Sequence, residues 1–394
     1  GPTNPWSKSN SPSLHENQGD SVLSRPRGLA GPKKLLALDG GGIRGVITLE
    51  VLHRLESTLA EQLCAGEDFV LGDYFDYIAG TSTGAIIAAG LAKGLRVAQL
   101  LDLYLTRGPE MFDHASLRRR YHYRYGGLRL RNLLQGILGK ETTLGSEDLK
   151  TLLLVVVRNA TTDSPWPLSN NPNALFNAAS RADNNLAIPL WQLVRAGTAA
   201  PTYFPPETVT LGEHRFVFVD GALTTYNNPA FQLFLMATLD SYRLRWPATE
   251  SDLLLVSVGT GTCPKANDRL RPDAMNLLFN ANSAPAALMH AALNEQDLLC
   301  RVFGRCRHGA PIDVEVGDLM HGKGLLDERL FSYVRYNAEL SRRGLDDLGL
   351  AELVPEQVQR MDSVEHVSDL RRVGQAAAGD VAIEHFAGFL EVTL

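Results

Sequence analysis

Three short motifs in this chain hold residue types that together could cleave an acyl ester. Gly80-Thr81-Ser82-Thr83-Gly84 has the Gly-x-Ser-x-Gly form of a nucleophile elbow, a sharp strand-to-helix turn that thrusts a serine hydroxyl outward. Gly80 and Gly84 stand two places either side of Ser82, where a missing Cβ permits the close backbone approach such a turn needs. Asp39-Gly40-Gly41-Gly42-Ile43-Arg44-Gly45 places three successive glycines after an apolar run, so bare amides can converge on an anion. As a phosphate loop it lacks the Gly-Lys-Ser/Thr ending. As an oxyanion hole it would supply the fixed donors that a tetrahedral intermediate requires. A tight turn with no chemical duty is the third reading.

A serine hydroxyl is a poor nucleophile until a base takes its proton. None of the ten histidines sits in an obvious strand-end motif, whereas Phe216-Val217-Phe218-Val219 delivers Asp220-Gly221-Ala222. An aspartate ending a strand is often only a cap or turn former. The three motifs together argue for one site made of Ser82, Asp220 and the glycine turn.

The elements that must position these residues follow from periodicity. Lys34 to Leu38 reads as a short buried strand, and Val51, Leu52, Leu55, Leu59 and Leu63 follow the glycine turn at helical spacing. Tyr74 to Ala79 is strand-like, with a small-residue helix from Ala85 to Leu91 after the elbow. Leu152 to Arg158, Phe216 to Val219 and Leu253 to Val258 are further strands, the last running into Gly259-Thr260-Gly261. Strands separated by helical segments predict an α/β fold with a mainly parallel central sheet covered by helices. Ligands of such sheets sit beyond the C-terminal ends of the strands, where each glycine-rich turn falls. Residues 1–33, rich in Ser, Asn, Pro and Gly, read as a flexible N-terminal arm. Residues 34–324 then form the catalytic domain, and 325–394 a mostly helical C-terminal region packed on it.

Composition bounds the partners. With 38 basic and 44 acidic side chains the 394-residue chain carries −6, which disfavours binding to a nucleic-acid polymer. Cys64, Cys263, Cys300 and Cys306 fit neither a disulfide scaffold nor a common zinc pattern and read as thiols in a reducing compartment. The longest small apolar run, Ala85 to Ala92, ends at Lys93 and is too short to span a membrane. No secretory signal is visible, and Gly1-Pro2 reads as a protease-cleavage scar, so the cytoplasm is the expected location. One stretch departs from the acidic average: Arg118, Arg119, Arg120, Arg124, Arg129 and Arg131 lie in a span, His114 to Lys140, without Asp or Glu. It reads as a solvated helix face, a contact for anionic headgroups, or a site for a phosphate-bearing regulator.

In combination the motifs resemble the patatin-like phospholipases, over about Lys34 to Gly261. The glycine turn, the Ser82 elbow and Asp220-Gly221-Ala222 match that family's blocks, as do Tyr74 to Ala79, Ala196 to Pro206, Asn227-Asn228-Pro229 and Ser257 to Gly261. The resemblance implies a patatin-like fold and hydrolysis of ester-linked fatty acids from membrane glycerophospholipids by a Ser-Asp dyad without histidine. Ser82 would attack the ester carbonyl, and Asp220 would take its proton and later help activate water. The amides of Gly40, Gly41 and Gly42 would hold the oxyanion, and Arg44 would position that loop or pair with a carboxylate. No cofactor or metal is implied, since Asp39, Asp76 and Asp220 lie in motifs with other roles. The implied partner is a phospholipid membrane surface, met peripherally at the inner membrane. Phe331 to Asn337 and the helical end resemble bacterial members, some of which are cyclic-nucleotide-activated antiphage effectors, so a cyclic nucleotide is the implied activator. Two alternatives stand: an α/β-hydrolase esterase with His290, His308 or His321 completing a Ser-Asp-His triad, and a non-catalytic lipid-binding protein.

Overall fold

The computed structural model describes residues 31–112, 122–199, 205–263 and 277–391. Its strands are β1 (Lys33–Leu38), β2 (Tyr77–Thr81), β3 (Leu152–Asn159), β4 (Ser164–Ser169), β5 (Glu207–Leu211), β6 (His214–Asp220), β7 (Leu253–Val258), β8 (Arg305–His308) and β9 (Ser332–Tyr336). The helices are α1 (Gly45–Gln62), α2 (Leu71–Tyr74), α3 (Thr83–Ala92), α4 (Val97–Phe112), α5 (His122–Leu138), α6 (Leu190–Gly197) and α7 (Ala230–Thr238). Beyond these come α8 (Leu277–Phe303), α9 (Arg342–Asp347), α10 (Pro355–Gln359) and α11 (Val367–Ala377). The strands pair in the order β5-β6-β3-β2-β1-β7-β9-β8, with β4 also on β3. From β3 through β2, β1, β7 and β9 to β8 every pairing is parallel, while β4, β5 and β6 pair antiparallel.

The central strands are apolar without alternation because helices bury both faces. Leu36, Leu38, Ile78, Val155 and Val256 join one core, on the side of α1, α3 and α4. Their neighbours Leu35, Ala37, Tyr77, Leu154 and Leu255 join the other, on the side of α7.

Two departures from the sequence reading have local causes. Tyr74 closes the helical turn α2 instead of opening a strand, since Phe75 N–H bonds back to Leu71 O at 3.0 Å, and β2 starts only at Tyr77. The C-terminal part is more than a helical cover: β9 runs between β7 and β8 in the sheet. Its run Ser332-Tyr333-Val334-Arg335-Tyr336 is buried throughout. Helix α11 packs on α1 so closely that a Cβ on Gly374 would lie 2.8 Å from Glu50 Cβ.

The pairing of β3 brings the site together. One edge of β3 carries β4 along Leu154 to Asn159. The opposite edge is shared, with β2 alongside Leu152 to Val156 and β6, running the other way, alongside Val157 to Asn159. Thr81 therefore ends opposite Val156 and Asp220 opposite Val157. The C-terminal ends of β2 and β6 meet head to head on that edge.

Candidate active site

Ser82 follows Thr81 directly and holds φ 53° and ψ −123°. That region costs a non-glycine residue about 1–3 kcal/mol and persists only where its surroundings enforce it. The enforcement is visible on both sides. A Cβ on Gly80 would lie 2.1 Å from Gly84 O, and one on Gly84 would lie 2.3 Å from Leu38 O. Both glycines are thus required by close backbone approach, as the pentapeptide suggests. Thr81 Oγ1 donates to Tyr226 O at 2.6 Å, and Tyr104 Oη lies 2.5 Å from Thr83 Oγ1, bracing the elbow before and after the serine.

Ser82 Oγ donates to Asp220 Oδ2 at 2.8 Å, and Asp220 Oδ1 accepts the Ala222 N–H at 2.7 Å. Asp220 is only 2% exposed. Burial pushes its pKa from 3.8 up to about 6, against the pull of these two hydrogen bonds. A carboxylate so placed is a far better proton acceptor near neutral pH than an exposed aspartate.

The glycine turn lies against this pair. A Cβ on Gly40 would fall 3.2 Å from Ser82 Cβ and 2.1 Å from Asn227 Oδ1. The sequence reading gave all three glycine amides to an oxyanion, but Gly40 N–H already donates to Asn227 O at 3.0 Å. Among the described residues the Gly41 and Gly42 N–H groups have no acceptor. Gly42 sits at φ 60°, and a Cβ there would meet Met361 O at 2.2 Å. Ile43 N–H donates to the same carbonyl at 3.0 Å, and Thr260 Oγ1 donates to Gly40 O at 2.8 Å. Among the described residues Arg44 pairs with no carboxylate: its Nη1 donates to Gln359 O at 3.1 Å and reaches Cys263 Sγ at 2.8 Å. It ties the turn to the last residue of α10, a positioning role.

Asp39 is held by a residue that sequence reasoning missed. Arg335 on β9 grips its carboxylate with two bonds of 2.9 and 2.6 Å and also donates to Ser257 Oγ at 2.7 Å. The Asp39 charge holds the guanidinium above its ordinary range. The available signal was a lone arginine within the otherwise apolar run Tyr333 to Tyr336.

The remaining site expectations divide. Asp39, Asp76 and Asp220 are committed separately, Asp76 accepting the Lys34 N–H at 2.8 Å. His290 bonds Asn294 at 3.2 Å, His308 stacks on His385 with ring centroids 4.5 Å apart, and His321 is exposed. None of these three is bonded to Ser82 or Asp220 among the described residues. Arg118, Arg119 and Arg120 lie outside the described residues, and Arg124 is described only in its α5 backbone. No helix among the described residues is long and apolar enough to cross a membrane.

The family model for patatin-like phospholipase matches residues 36–234, about half of the chain, and contains both Ser82 and Asp220. The chain belongs to the patatin-like phospholipase family. This patatin-like chain is 33% identical over 240 residues to a cGAMP-activated phospholipase of Vibrio cholerae, covering 58% of the chain and 64% of that protein. It is 32% identical over 248 residues to Patatin-17 of Solanum cardiophyllum, covering 58% and 60% respectively. It is 29% identical over 245 residues to a cGAMP-activated phospholipase of Escherichia coli, covering 61% and 64%. The chain thus spans somewhat less than two thirds of the length of these curated relatives. Arg335, Met361 and Thr260, which brace the glycine turn, lie beyond the matched segment.

Proposed function

We propose that this protein hydrolyses ester-linked fatty acids of glycerophospholipids through an acyl-enzyme on Ser82. The observation that carries the reading is the 2.8 Å bond from Ser82 Oγ to a buried Asp220. The Ser82 proton passes to Asp220 as Oγ bonds to the ester carbonyl carbon, and the carbonyl oxygen takes negative charge beside the Gly41 and Gly42 amides. The ester C–O bond then breaks and the alcohol, a lysophospholipid, leaves with the proton from Asp220. Water next gives a proton to Asp220 and adds to the acyl carbon. Collapse of that intermediate releases the fatty acid and returns the proton to Ser82 Oγ.

The membrane surface as the place of action, and gating by a cyclic nucleotide in antiphage defence, belong to the same proposal. Their support is that two relatives are named cGAMP-activated phospholipases. The test is fatty-acid release from mixed phospholipid vesicles, with and without cyclic dinucleotide, for the wild type and Ser82→Ala. Release should fall more than about a thousandfold in Ser82→Ala, and a fluorophosphonate probe should label Ser82 alone. A variant keeping a tenth of the wild-type rate would exclude the serine route, and equal release with and without the dinucleotide would remove the gating.

A further inference from the structure

A cavity of about 330 Å³ opens between α4 and α5, lined by Arg107, Arg129, Asn132, Leu133, Gly136 and Ile137, with neither Ser82 nor Asp220 in its lining. Its α5 residues form one stripe, since positions 129, 132, 133, 136 and 137 recur at helical spacing. The opposite stripe, Leu130, Leu134 and Leu138, is buried in the core. The floor is apolar, made by the half-buried Leu133 and Ile137 that pack on that core. The mouth is cationic. Arg107 shares its charge with Glu110 at 2.7 Å, while Arg129 is exposed and forms no ion pair among the described residues. Its neighbour Arg131 is already occupied, lying 4.8 Å over the Trp191 ring.

Gly136 is the independent sign that this space is kept open. Glycine is the poorest helix former after proline, and Gly136 lies in the last turn of α5, inside its range. Here a Cβ would meet nothing within 4 Å. Packing therefore does not require the glycine, and its effect is to leave the groove unfilled.

We infer that this groove binds a single-chain anionic amphiphile, its phosphate or carboxylate on Arg129 and Arg107 and the start of its chain over Leu133 and Ile137. The volume is at the low end for ligand sites, enough for a head and part of one chain. Among the described residues no aromatic ring lines the groove, which leaves a nucleobase no stacking partner there. Charge complementarity is local, because the span from His114 to Lys140 holds no acid in a chain of net charge −6. Helix α4 itself packs on the glycine turn: a Cβ on Gly108, next to Arg107, would lie 2.6 Å from Ile43 Cδ1.

The inference concerns binding and stands apart from the catalytic reading. Isothermal titration with decyl phosphate, decanoate, decanol and inorganic phosphate, each below its micellar concentration, tests it. Decyl phosphate and decanoate should bind at least tenfold more tightly than decanol or inorganic phosphate. The preferred head separates a lipid phosphate from a released fatty acid as the source. Gly136→Leu, which fills the groove, and Arg129→Gln, which removes the cation, should each weaken binding at least tenfold. The melting temperature of Gly136→Leu should hold or rise. Unchanged binding in both variants overturns the inference, as does decanol or inorganic phosphate binding as tightly as decyl phosphate. A cyclic dinucleotide that displaces decyl phosphate and is itself lost in Gly136→Leu would make the groove a nucleotide site instead.

Discussion

At the scale of single residues the decisive quantity is the environment of Asp220. Its carboxyl is pushed up to about 6 by burial, and only its ionised form can take the Ser82 proton. The profile of kcat/KM against pH should therefore fall about tenfold per unit below pH 6 and level off above it. A profile that stays level down to pH 5 and falls only below it would show that another base serves Ser82. The same shift bears on stability. A carboxyl whose folded pKa exceeds its unfolded value favours the fold while protonated, so that contribution is present below about pH 4 and lost as pH rises through 6. Asp220→Asn keeps the shape without the buried charge. It should abolish hydrolysis yet gain up to about 3 kcal/mol of stability at pH 8, with no gain at pH 4, as read by denaturant titration at both pH values. A destabilised Asp220→Asn at pH 8 would contradict the burial argument.

At the scale of elements, the geometry of Ser82 is imposed by contacts between backbones, and that of the glycine turn by backbone carbonyls and side chains from far along the chain. Gly84→Ala would drive a methyl group to 2.3 Å from Leu38 O. We expect it to push α3 off β1, lowering stability by several kcal/mol on the scale of overpacking and strain and removing labelling of Ser82 by a fluorophosphonate. Arg335→Met would leave the Asp39 carboxylate, 2% exposed, without its partner. Breaking a buried pair by removing one member costs about 3–5 kcal/mol. The double variant Asp39→Asn with Arg335→Met removes the stranded charge and should recover at least half of that loss in thermal denaturation. No recovery would mean that Arg335 matters through its bond to Ser257 and through packing instead.

At the scale of the whole molecule, the residues after the family-matched segment are part of the body that positions Ser82 and Asp220. Strand β9 lies between β7 and β8, and Gln359 and Met361 hold Arg44 and Ile43. A chain ended after residue 324 should therefore fail to fold cooperatively, seen as loss of a sharp thermal transition, and an active soluble fragment would refute this. The amino-acid sequence by itself determined the mainly parallel α/β sheet, β7 to the residue, the elbow and the pairing of Ser82 with Asp220 in one site. These signals are local: apolar runs with glycine at strand ends, and a hydroxyl and a carboxylate in short motifs. Tertiary structure alone decided that β2 and β6 end head to head on one edge of β3, because register is a property of the partner strands and not of either run. It also decided that Gly40 bonds Asn227 while Gly41 and Gly42 find no acceptor among the described residues, and that the charge on Asp39 is met by Arg335, 296 residues away. A hydrogen bond or ion pair depends on distances of a few ångströms in the folded chain, and separation along the sequence carries no record of them.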